Sequence, residues 1–413
     1  MLRCFTKKEK QRTILLVLIC ILWPILCIFA SHVALGDDVI YDTTPIKEEK
    51  DVIFTINDQK ITSETKEIDL SQASSEEVEE FLKKKDQLPK LQTINLGKDN
   101  GEDPRISWET IKTIQEQYPD VTINYIFTIH GYRFDLNDTI LNLNHIKFDD
   151  SGELAVKIAQ CMPNLELLDM DSCGVSDEDM DKIRNDFHDI KVVWRVFFGR
   201  AYSARTDSER LMISNPSKSG YNDLCDDTLR GLYYCHDVKY LDLGHLSRVT
   251  DVGYVANMPN LEVLIIAMTA IKRIDALAEC KHLNYLEFQT SAACDLRPLS
   301  ELKELKDLNI CYNFALRDIR PIFGLDLDRL WIGGLTPIPR EQIEQYQQLH
   351  PNCTINTTTI NPTEEEWRVV KGGYAGQPAE RYAQLYREMQ YGSNPLCYAY
   401  NENDRKYAYR FEY

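Results

Sequence analysis

Residues able to hold a metal or attack a substrate are sparse and poorly spaced in this 413-residue chain. The most site-like string is DMDSCGVSDEDMD, residues 169–181, where acids alternate before a glycine as in a calcium loop. It fails that chemistry twice: Cys173 stands where an oxygen ligand is needed, and Met180 where a bidentate acid is needed. The same residues fit a strand running into a helix, with Ser176 as N-cap and Asp177, Glu178 and Asp179 favourable in the first turn. The eight histidines are scattered singly, and no GxSxG, HExxH or phosphate-loop sequence is present. Spacing therefore nominates no catalytic residue, metal ligand or cofactor, although triads can assemble from distant positions.

Of the twelve cysteines, Cys4, Cys20 and Cys27 fall in the N-terminal segment, which leaves nine, an odd number without a CxxC pair. Cys161, Cys235 and Cys280 each lie three or four residues before the first apolar position of a strand-like segment. That place suits a small buried apolar side chain; a disulfide or a zinc site is the alternative. The sequons at Asn137, Asn352 and Asn356 matter only in a glycosylating pathway.

Charge narrows the partners. The net charge is -18, and the first twelve residues hold five basic residues against Glu9, so about -22 falls on the remainder. A nucleic-acid binder needs a basic face, and no basic run follows residue 12. Thr13 to Ala30 is eighteen residues without a charge, about 27 Å of helix, enough to span a bilayer. Basic residues precede it and Asp37 and Asp38 follow, which puts the N-terminus in the cytoplasm and the remainder outside. The expectation is a single-pass anchor in the cell membrane; a cleaved signal peptide and a secreted protein form the alternative.

The elements that must carry any site follow from a repeat. LEVLIIAMT, LNYLEFQTS, LKDLNICYN and LDRLWIGGL begin at Leu261, Leu283, Leu305 and Leu327, in steps of 22 residues. Units at Val238, Leu165 and Leu143 extend the pattern backward. This spacing resembles the leucine-rich-repeat family, with its LxxLxLxxN/C consensus, over roughly residues 65 to 355. Asn313 and Cys173 match the last consensus position, Thr269 and Ser291 match it weakly, and Leu335 departs from it. The resemblance implies an α/β solenoid, with parallel strands on the concave face and helices or irregular segments on the convex face. Within the family the chain is most similar to membrane-anchored bacterial surface proteins.

A longer period lies upstream. FTINDQKITSETKEIDLS from Phe54 matches FTIHGYRFDLNDTILNLN from Phe127 at an offset of 73. The expected organisation is a cytoplasmic tail (1–12), an anchor (13–30), a linker (31–51), and two irregular supermodules of about 70 residues (52–199). A long loop and helix (200–235), a regular array (236–360) and a tyrosine-rich α+β cap (361–413) complete it. In the cap, Pro362 before TEEEW reads as a helix start, PAERYAQLYREM as a helix, and Tyr398, Tyr400, Tyr407, Tyr409 and Phe411 as one face of a hairpin.

An extended strand face suits recognition of another protein. A carbohydrate binder using the tyrosine-rich end, or an enzyme with a site in the 200–227 loop, are the alternatives. Side-chain alternation places two columns on the concave face: Asp242, Ile265, Glu287, Asn309 and Trp331, then His245, Met268, Thr290, Tyr312 and Gly334. Trp331 and Tyr312 are the expected aromatic anchors for a partner. Burial of this face by the C-terminal segment or by the long loop is the competing reading.

Overall fold

The computed structural model describes residues 52–199, 202–213, 224–363, 366–369 and 378–389. The expected tail, anchor and linker, residues 1–51, lie outside the described residues, as does the expected tyrosine hairpin. No helix among the described residues is long and apolar enough to cross a membrane.

Three parallel sheets are built from consecutive short strands. The first contains β3 (Glu67–Asp69), β4 (Thr93–Asn100) and β5 (Thr122–Ile129), and the second β7 (Ile140–Asn142), β8 (Leu167–Asp169) and β9 (Lys191–Val193). The third has seven strands: β12 (Arg210–Met212), β13 (Tyr240–Asp242), β14 (Val263–Ile265), β15 (Tyr285–Glu287), β16 (Asp307–Asn309), β17 (Arg329–Trp331) and β18 (Thr354–Asn356). Leu211, Leu241, Leu264, Leu286, Leu308, Leu330 and Ile355 pair in register along this sheet. The six leucines are fully buried. This is a leucine-rich-repeat solenoid, and the leucine ladder stands where the 22-residue spacing puts it.

Repeat length decides what packs behind the sheet. Paired residues are 26, 29, 27 and 24 apart in the first two sheets (67 to 93, 93 to 122, 140 to 167, 167 to 191). There the return path has room for α1 (Ser75–Leu82), α2 (Trp108–Gln117), α3 (Glu153–Cys161) and α4 (Asp177–Asp186). Each buries a helical stripe, such as Val78 with Phe81 in α1 and Met180 with Ile183 in α4. Ser74 caps α1 in a reciprocal box with Glu77, and Ser176 caps α4 by accepting from Asp179 N at 3.1 Å, as its sequence predicts. In the array, spacings of 22 leave only 3-10 turns, two of them opened by Pro298 and Pro321. The last step widens to 25 (329 to 354), and an α-helix returns there, α5 (Arg340–Leu349).

A hairpin introduces each sheet. β1 (Phe54–Ile56) pairs with β2 (Gln59–Ile61), the end of β5 with β6 (Tyr132–Asp135), and β10 (Arg195–Phe198) with β11 (Tyr202–Arg205). The second hairpin strand begins eight residues before the next parallel strand every time: 59 to 67, 132 to 140, 202 to 210. The sequence reading found two of these copies. The third corrects it: part of the stretch expected as a loop from residue 200 is β11 and β12, so the array starts as the earlier modules do.

The last consensus position works as expected in most repeats. Asn313 Oδ1 accepts from Ser291 N at 2.8 Å, and the Cys173 thiol donates to Leu143 O at 3.0 Å. In the final repeat the turn holds one extra residue. Gly334 and Leu335 both have positive φ, and Thr336 takes the capping role, donating to Gly333 O at 3.0 Å. Leu335 is thereby pushed out to 84% exposure. The eight cysteines among the described residues are free thiols. Six of them are buried, and burial pushes the Cys161 and Cys280 thiols up to about 12.

Candidate functional site: the covered concave face

Positions three and five of each array strand flank the inward leucine, so both face the concave side. The column expected from sequence is the fifth; the third, Tyr240, Val263, Tyr285, Asp307 and Arg329, belongs there too and was missed. Alternation about the leucine was the signal that could have found it. The second expected column does not lie on the strand face. His245, Met268, Thr290 and Tyr312 have φ between 56° and 67°, and Gly334 has 65°. These left-handed residues turn the chain out of the strand at its C-terminal edge and form a rim.

The concave face is closed by the chain's own C-terminal segment. Asp242, Ile265, Glu287, Asn309 and Trp331 are all buried, which corrects the expectation of an open binding column. Past β18 the chain folds back: Asn309 Nδ2 donates to Pro362 O at 2.7 Å, and the Tyr312 hydroxyl to Ile360 O at 2.5 Å. Trp367 then packs between Tyr285 and Trp331, with ring centroids 5.4 and 5.2 Å away. Residues 366 and 367 lie in a turn, not in the helix expected after Pro362. The helix expected from PAERYAQLYREM does form, as α6 (Glu380–Glu388), and reaches Arg210 at the start of the sheet, whose Nε donates to Glu388 O at 2.6 Å.

Charge holds this strap in place. Glu287, fully buried, accepts from Trp367 Nε1 at 2.7 Å and from Arg368 Nε at 3.1 Å, and it also bonds Tyr285 and a second Arg368 nitrogen. Burial alone would raise the Glu287 pKa, but the Arg368 charge and these donors hold it below the ordinary value. Asp307 sits between Arg329 Nε at 2.6 Å and Arg381 Nε at 3.0 Å, and Arg381 also donates to Asn284 Oδ1 at 2.9 Å. The acids of the calcium-like string are treated alike by the preceding hairpin. Arg205 grips Asp169 at 3.0 and 2.9 Å, and Arg195 Nε donates to Asp171 at 2.8 Å. Overlying arginines thus neutralise concave carboxylates in both places.

What stays exposed is the rim. Phe314 (56%), Leu335 (84%) and Ile360 (82%) project there, with Met268 (45%) two repeats away. Tyr312 joins three of them: its ring lies 6.1 Å from that of Phe314, its hydroxyl bonds Ile360 O, and it packs against Gly334 beside Leu335. At Gly334 a Cβ would meet the Tyr312 ring at 2.3 Å. Sequence reasoning put Met268, Tyr312 and Gly334 on the recognition face but not Phe314, Leu335 or Ile360. A large apolar residue at Leu335, where the three preceding repeats hold Thr269, Ser291 and Asn313, was the available signal.

No family model and no curated protein matches the chain. Among solved structures, it is similar to an internalin (inlF) from Listeria monocytogenes, with 18% identity, a TM-score of 0.29, and coverage of 67% of this chain and 58% of that one. Internalin C2 of the same species shares 19% identity over 61% of this chain and 92% of that one, with a TM-score of 0.31. A leucine-rich-repeat protein of Leptospira interrogans shares 17% identity over 65% and 73%, with a TM-score of 0.28. The assignment to the repeat fold rests on this chain's own strand register.

Proposed function

We propose that this leucine-rich-repeat chain is a membrane-anchored recognition protein, without catalytic activity of its own, whose partner is another protein outside the cytoplasm. The observation that carries the recognition reading is the apolar rim of Phe314, Leu335 and Ile360, which is held in place yet left open to water. Contiguous exposed apolar side chains beside an aromatic mark protein interfaces more often than they mark ordinary surface. The uncharged stretch from Thr13 to Ala30, preceded by basic residues, supports the anchored topology.

The partner test uses the full-length chain, solubilised and immobilised, to capture envelope and secreted proteins. Leu335→Asp with Phe314→Ala should weaken the captured interaction about tenfold or more while the thermal midpoint is unchanged. Undiminished binding would rule out the rim. For topology, protease added to intact cells should remove nearly the whole mass; mature protein free in the medium and starting near residue 31 to 36 would replace the anchor by a cleaved signal.

A further inference from the structure

The strap does more than a lid for the end of a solenoid requires. That end is already dressed: α5 packs on the preceding repeat, where the Tyr346 hydroxyl donates to Leu325 O at 2.7 Å and Gln342 accepts from Ile319 N at 2.9 Å. The strap, described at residues 359–363, 366–369 and 378–389, instead runs back across the strands from Trp331 to Arg210. Its principal polar contacts are charge-assisted, made by Arg368 and Arg381 to carboxylates that belong to the groove.

One further feature separates this contact from a fixed core. Glu287 and Asp307 lie on the concave face and are buried beneath the strap, so lifting it would return both carboxylates to water. Rehydration of both charges offsets part of the cost of exposing Trp367 and Trp331. In addition, Trp331 Nε1, Arg329 Nη2 and Gln289 Oε1 are buried without a hydrogen-bond partner, as are six side-chain atoms elsewhere among the described residues. The groove therefore offers more hydrogen-bonding capacity than its present occupant uses.

We infer that the concave face of the array is a receptor groove for an arginine-bearing polypeptide segment, and that the chain's own strap occupies it in cis until such a segment displaces it. The acceptors define the ligand. Glu287 and Asp307 sit on adjacent parallel strands one diagonal step apart, about 8 Å, so two arginines on one face of an extended segment reach both. Acceptors on that segment, such as backbone carbonyls, satisfy Trp331 Nε1 and Arg329 Nη2. The strap contributes Ile360 to the exposed rim, but the groove lies beneath the strap, and its test uses a synthetic peptide and no partner captured at the rim.

The probe is a labelled synthetic peptide spanning residues 359–389. In the full-length chain, Arg368→Glu with Arg381→Glu releases the strap, and the peptide should bind this variant about tenfold or more tightly than it binds wild type. Adding Glu287→Gln and Asp307→Asn should abolish that binding, and a peptide with both arginines changed to glutamate should not bind. Equal binding to wild type and variant, or no binding to a variant with an intact circular-dichroism spectrum, overturns the proposal. Hydrogen exchange on the unmodified chain decides the matter if the variant does not fold. Residues 366–369 and 378–389 should exchange about a hundredfold faster than β13 to β17, and equal protection overturns the proposal.

Discussion

The Trp367 indole donates its N–H to the Glu287 carboxylate at 2.7 Å, across 80 residues of chain. Glu287 also holds Arg368, so one buried carboxylate anchors two neighbouring strap residues. Glu287→Ala should destabilise the chain by about 2 to 4 kcal/mol, because Arg368 and Trp367 lose their acceptor together. Glu287→Gln, which keeps one acceptor oxygen, should lose less. Urea denaturation followed by tryptophan fluorescence measures both, and equal losses would show that charge plays no part.

The same pair sets an acid limit. The folded pKa of Glu287 is depressed, so its contribution is fully present above the unfolded value of about 4.3 and is lost as pH falls through the lower folded value. Strap attachment, read by Trp367 fluorescence, should weaken below that point in wild type, and this acid step should be missing in Glu287→Gln.

Asp177 titrates with the opposite sign. Burial is the main cause of its rise to about 6, helped by Glu178 and opposed by the hydrogen bond from Trp194 Nε1 at 2.9 Å. A raised carboxyl makes the folded state the better proton binder, so stability falls as pH rises from about 4 to about 6. Asp177→Asn should raise stability at pH 7 by about 1 to 2 kcal/mol and flatten the pH profile in that window. A variant that is less stable at pH 7 would mean that the charge at the start of α4 outweighs its burial.

Removal of a rung from the leucine ladder should act on folding alone. Leu286→Ala or Leu308→Ala should be destabilising by about 2 to 5 kcal/mol. Losses below about 1 kcal/mol at both positions would contradict the pairing of Leu264, Leu286, Leu308 and Leu330.

Trp331 and Leu335 should separate folding from recognition. Trp331 is buried against Trp367, so Trp331→Ala should lower stability by about 3 kcal/mol, whereas Leu335→Asp should leave the melting temperature within about 2 °C of wild type. Melting curves of the two variants check this. A stable Trp331→Ala protein would mean that the strap packs elsewhere in solution.

The contrast between those two residues shows what the sequence could disclose. The step from Leu261 to Leu283 to Leu305 to Leu327 is local and periodic, so strand, register and inward ladder were all legible. The leucine-free hairpin at Phe198 and Tyr202 was not, because its two-residue alternation is too short to stand out beside the 22-residue step. The strand pattern places Trp331 on the concave face but leaves open whether that face is covered, since nothing periodic links it to Trp367. Contacts such as Glu287 with Arg368, 81 residues apart, have no sequence period at all. The rim was half visible: Leu335 stood out as a departure from consensus, but the extra turn residue that expels it needed φ values to be seen.

A stack of repeats held only by neighbours can fray from either end, one unit at a time, each step opening a single interface. The bond from Arg210 to Glu388 O, together with Asp307 gripped by both Arg329 and Arg381, joins the first strand of the array to its last part. The array is thereby buckled like a belt. Loss of a terminal repeat must also undo the buckle, so stepwise unravelling waits until the strap has opened. Folding inherits the reverse order: the repeats assemble through short-range contacts first, and the strap, whose contacts span up to 178 residues, closes last.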